Sequence, residues 1–139
     1  MNFEEMYSKY LNMSKEELLK IGKENGAALI DFMDSLYGDK DKSFAVFMKI
    51  YGSFVAIDLD IKQEEYDFFT NITAVSASFN EFTDAVKQSF DYDVINELDS
   101  MIDSNVKIKE LVIKLGLAIC AFDGNINAEE KALIERYWN

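Results

Sequence analysis

A ten-residue pattern occurs twice in this chain, without a gap, at an offset of 65 residues. Ala56-Ile-Asp-Leu-Asp-Ile-Lys-Gln-Glu-Glu65 aligns with Ala121-Phe-Asp-Gly-Asn-Ile-Asn-Ala-Glu-Glu130. Ala56, Asp58, Ile61, Glu64 and Glu65 recur identically as Ala121, Asp123, Ile126, Glu129 and Glu130. Each copy follows an apolar run and precedes an amphipathic one, so the repeated unit reads as helix, tight acidic turn, helix. A chain carrying two such units is constrained to an all-α domain with two similar acidic turns.

The remaining segments keep the helical period. Phe3, Met6, Tyr7, Tyr10 and Leu11 mark a short first helix. Ser14 and Glu17 have the spacing of a capping box, and the helix they open runs to Leu36, with Asn25-Gly26 as a place where it could break. Gly38 to Asp41 ends it. Phe44 to Ile57 is apolar on nearly every side, as a central buried helix should be. Tyr66, Phe69, Ile72 and Val75 form a stripe beyond the first turn, and Ser76-Ala-Ser78 reads as a loop. Phe82, Val86 and Phe90, then Val94, Ile95, Leu98, Met101 and Ile102, mark two shorter helices. Ile108, Leu111, Val112, Leu115, Ile119 and Phe122 keep the period up to the second turn, and Leu133, Ile134 and Tyr137 close the chain. No segment alternates with a period of two. The expectation is one all-α domain over residues 1–139, a bundle of about seven or eight helices. Helices near 43–57, 62–75, 106–122 and 128–138 should form its core.

Composition narrows the class. Hydrophobic residues make up 49% and aromatics 14%, which excludes a disordered chain. Lys49 and Ser53 interrupt the longest apolar run, which also falls short of the roughly 20 residues that span a bilayer. The start, Met1-Asn-Phe-Glu-Glu, lacks a basic n-region. A cytoplasmic protein without membrane insertion is expected. The net charge of −12 repels nucleic-acid phosphate and attracts cations or basic proteins. Acidic solvated helix faces, which favour solubility, account for it equally well.

There is no histidine. That removes Ser-His-Asp and Cys-His catalysis, histidine-based zinc sites and the Glu-x-x-His pairs of di-iron bundles. Cys120 is the lone cysteine, on an apolar run, where a small buried hydrophobe is the expected role. With no phosphate loop or base constellation, the chain does not read as an enzyme.

Two accounts fit the acidic turns. In the first they are helix caps. Gly124 can adopt the left-handed conformation that ends a helix, Ile126 would plug the turn onto the core, and Asn127 with Glu130 would form a capping box. Glu129 favours the dipole of the helix it opens. Lys62 stands where Asn127 does, so the first copy should cap less well, and Asp123 has no necessary local role. In the second account, carboxylates of one or both turns hold a hard cation, calcium or magnesium. An EF-hand is excluded: with Asp123 at loop position 5, apolar Ile119 and Ala121 would occupy positions 1 and 3.

A helix ending Ala-x-x-Asp-Gly, followed by a short polar stretch, Ile and paired Glu, resembles the pattern of the tellurite-resistance TerB family. The resemblance covers about Leu29 to Tyr137, and Leu59 departs from it at the glycine of the first copy. It implies a helical bundle whose acidic turns are proposed to bind divalent metal, with Asp58, Glu64, Glu65, Asp123, Glu129 and Glu130 as the candidate ligands. Such domains occur in bacterial stress-response proteins and as a module of a membrane-anchored J-domain co-chaperone. Two functions are thus expected of a TerB-like, non-enzymatic protein. One is stress-response binding of a divalent cation. The other is protein interaction, with a basic or hydrophobic partner and the acidic turns serving only as caps.

Overall fold

A computed structural model describes residues 2–57, 60–90, 92–124 and 128–138. Among them are eight helices and no strands. They are α1 (Phe3–Leu11), α2 (Lys15–Tyr37), α3 (Lys40–Ala56), α4 (Gln63–Thr73), α5 (Phe79–Ser89), α6 (Tyr92–Asp103), α7 (Val106–Asp123) and α8 (Ala128–Trp138). The expected all-α bundle is the one observed, and the four helices assigned to the core lie where the periodicity put them.

Local chemistry explains the boundaries. Ser14 accepts from the Glu17 N–H while Glu17 accepts from the Ser14 N–H, so the expected capping box opens α2. Ser78 and Glu81 form a second such box at the start of α5. Asp39 and Asn105 cap α3 and α7 with their side-chain oxygens. Gly38 ends α2 in the left-handed region. α2 is not broken at Asn25-Gly26. The Asn25 amide donates to the Ile21 carbonyl one turn back, which keeps its polar group inside the helix's own network.

The repeat is kept in the helix boundaries and in the burial pattern. α4 and α8 begin and end 65 residues apart, matching the sequence offset. Their buried positions also correspond: Glu65, Phe68 and Phe69 on α4, Glu130, Leu133 and Ile134 on α8. α3 and α7, the helices that lead into the two turns, hold the densest runs of buried side chains. α2 packs along α7 more extensively than any other pair among the described residues. Lys15 of α2 lies over the Phe122 ring at the far end of α7, so the two run antiparallel. α1 seals the end of the bundle against α8, with Phe3 on Trp138 and Lys131 paired to Glu4.

Two glycines allow close helix approach. A Cβ on Gly116 would come within 2.6 Å of the Phe54 ring, and one on Gly22 within 2.4 Å of the Phe68 ring. Both rings are fully buried, and neither can swing away. Gly26 is different, since a Cβ there would meet Ile72 and Phe47 at an ordinary 3.8 Å. Gly116→Ala should therefore destabilise the fold by about 1–3 kcal/mol through overpacking. Gly26→Ala should be neutral or stabilise it by up to about 1 kcal/mol through helix propensity. Urea unfolding of the two variants checks this, and equal effects would contradict the packing described.

Candidate functional site

The two acidic turns meet at one point, and a lysine occupies it. Lys62 is the N-cap residue of α4, in extended conformation, so its side chain leaves the helix at the first turn. Its Nζ lies 3.0 Å from Oδ2 of Asp123, the last residue of α7, and 3.8 Å from Oε1 of Glu130 on α8. The Glu130 side chain is 2% exposed, that of Asp123 11% and that of Lys62 21%, so water screens these charges only partly. Burial alone would lower the lysine pKa. The hydrogen bond to Asp123 and the charges of Glu130, Asp123 and Glu65 outweigh it, and the pKa is raised.

Glu65 anchors the other side of the joint. It is 3% exposed, and its Oε1 accepts the Lys62 N–H at 2.7 Å. Only one half of a capping box forms here, because a lysine side chain has no acceptor to offer. The first turn is thus capped from within the helix, by the glutamate at its third position, although Lys62 replaces the usual cap residue. Tyr51 of α3 is fully buried and donates its hydroxyl to the Glu65 carbonyl at 2.6 Å. Burial pushes the Tyr51 hydroxyl pKa well up, with Glu65 adding to the shift.

Cys120 packs behind the joint on α7 and is buried as expected, but it is more than a small hydrophobe. Burial, then the charge of Glu130 and a hydrogen bond to it, push its thiol well above the usual range. The thiol is therefore held in its neutral form beside Glu130.

The remaining candidates are placed as follows. Glu64 is half-buried and Glu129 exposed, each in the first turn of its helix, where a carboxylate favours the dipole. Neither makes a side-chain hydrogen bond or ion pair among the described residues. Asp58 lies outside the described residues, as do Leu59, Ile126 and Asn127 and the caps or plugs assigned to them. Gly124 has φ +77° and donates its N–H to the Ala121 carbonyl, so it ends α7 as its sequence position suggested. Asp123, given no local role by the sequence, has a long-range one.

The structure thus brings Glu65, Asp123 and Glu130 together from both copies of the repeat. Sequence reasoning missed Lys62, Tyr51 and the hydrogen-bonding role of Cys120. One signal was present, since Lys62 is a cation at one of the two variable positions between the shared Ile and Glu-Glu. Among the described residues, no group of three or more His, Cys, Asp or Glu side chains is arranged to hold a metal ion. No helix among them is long and apolar enough to cross a membrane. Fold and site together define an all-α domain with a charged internal joint. Comparison with protein-family models, curated proteins and solved structures finds no match to this chain.

Removing the ammonium while leaving two buried carboxylates should be costly. Lys62→Met is expected to destabilise the fold by about 2–4 kcal/mol at pH 7, less than a fully buried pair because Lys62 is partly hydrated. A lysine whose folded pKa is raised contributes fully below its unfolded value of about 10.4, and the contribution fades as pH rises toward the folded value. Urea unfolding of wild type and variant should therefore show a constant gap from pH 7 to about pH 10, narrowing only above that. A gap that closes by pH 9 would contradict the arrangement.

Proposed function

We propose that this chain is a non-enzymatic, TerB-like protein-interaction module whose acidic turns form an internal joint and not an open cation site. The observation that carries the reading is the position of Lys62. Its ammonium sits between Asp123 and Glu130, where a bound cation would have to sit, and it is already hydrogen-bonded there. A divalent ion would have to displace that ammonium and still assemble about six oxygens. The acidic turns then account for the fold, and the acidic outer surface remains as the place of recognition. An enzymatic role finds little support, since histidine is absent and the Cys120 thiol is held neutral by burial.

A second reading draws on the same convergence. Glu65, Asp123 and Glu130, with Asp58, Glu64 and Glu129 nearby in sequence, would supply hard oxygen ligands for calcium or magnesium in a stress-response protein. The bacterial setting belongs to both readings and rests on the family resemblance, and the cytoplasmic one rests on the sequence composition.

Titration calorimetry with Ca²⁺ and Mg²⁺ separates them. The interaction reading expects no saturable heat from wild type at millimolar ion, and the same shallow heats from Asp123→Ala. Saturable binding that disappears in Asp123→Ala would overturn it in favour of the cation.

A further inference from the structure

We propose that the groove between α2, α3 and α4 docks a basic amphipathic helix of a partner protein, which deepens the interaction reading above and rests on it. The groove encloses about 460 Å³. That is enough for a few large side chains, since pockets for small ligands run from about 300 to 1,000 Å³. Phe47 forms its buried floor, and half-buried Ile30, Phe44 and Ile72 form apolar walls. Gly26 and Ala27 lower the α2 side, so a partner's backbone can approach that helix closely. Three helices that already belong to the core build the groove, which makes it preformed.

Charge selects the occupant. Asp31 is the charged residue lining the groove, and it is exposed. Asp34 follows one turn later on the same face of α2. Neither carboxylate makes an ion pair among the described residues, and Oδ1 of Asp34 is buried without a hydrogen-bond donor. Asp31 is open to a cation or N–H donor, the buried Asp34 oxygen is not part of the groove lining, and the whole chain carries −12. A second copy of this chain would bring the same negative charge against Asp31. A helix with apolar anchors at i, i+3 or i+4, and i+7, flanked by Lys or Arg, satisfies the walls and the Asp31 carboxylate together.

The probe is a fluorescein-labelled leucine/lysine amphipathic helix of about 18 residues, with its leucine/glutamate twin as control. Binding is read by anisotropy and mapped by methyl NMR on the full chain. Ala27→Arg blocks the groove from an exposed position without touching the core, and Asp31→Lys reverses the rim charge. The lysine helix should bind saturably, with methyl shifts concentrated at Ile30, Ile72 and Val75. Each variant should weaken it about tenfold or more, and the glutamate twin should not bind. Undiminished affinity in Ala27→Arg, or shifts spread over the whole surface, would overturn the proposal. So would shifts that grow with protein concentration alone, which would mean a second copy fills the groove. Saturable binding mapped to another face would overturn the groove and leave the interaction reading standing, whereas only the calcium titration can remove that reading itself.

Discussion

The joint between the two halves of this fold depends on one positive charge, the Lys62 ammonium between Asp123 and Glu130, set beside a second buried carboxylate, Glu65. Glu65 and Glu130 are almost completely enclosed, at 3% and 1% exposure, in a bundle whose neighbouring positions are Phe, Leu and Ile. Enclosing a carboxylate costs several kcal/mol unless opposite charge and hydrogen bonds replace the lost water. Lys62 brings the charge. Its own backbone N–H, together with the Cys120 thiol, brings hydrogen bonds. Because Lys62 belongs to the first turn and Asp123 and Glu130 to the second, neutralising the charge also fixes the two halves of the chain relative to each other.

The differences between the two copies are as informative as their identities. Lys62 in the first copy stands where the second has Asn127, and only the lysine can reach across to the other turn with a charge. Gly124 in the second copy takes a left-handed backbone that a β-branched or leucine side chain would resist. The two turns have thus become complementary parts of one joint. Aromatic packing reinforces it: the Phe68 ring of α4 packs tilted against Phe122 of α7 at 5.1 Å, and Tyr51 packs edge-to-face on Phe69 at the same distance. Gly116, at the position matching Tyr51, leaves the space that Phe54 fills.

Much of this was legible in the sequence because it is local. Helical periodicity located α3, α4, α7 and α8. The Ser14/Glu17 spacing gave the start of α2, and Asp-Gly gave the end of α7. The break suggested at Asn25-Gly26 did not occur, since tertiary packing of Gly22 and Gly26 against α4 and α3 outweighs their poor helix propensity. The site was half legible. The repeated Asp and Glu-Glu identified carboxylates that do converge, but their neutralisation is a contact between residues 61 positions apart, invisible to any local pattern. Tyr51 and Cys120 hid for a related reason: each lies on an apolar helix face, and its polar atom matters only once another helix delivers a partner.

The most direct test is a double-mutant cycle joining Lys62→Met and Asp123→Asn, with stability measured by urea unfolding at pH 7. Both side chains are less than a quarter exposed and in direct contact, so their coupling should be about 1 kcal/mol or more. Effects that add within about 0.3–0.5 kcal/mol would mean the two turns are not joined through this lysine.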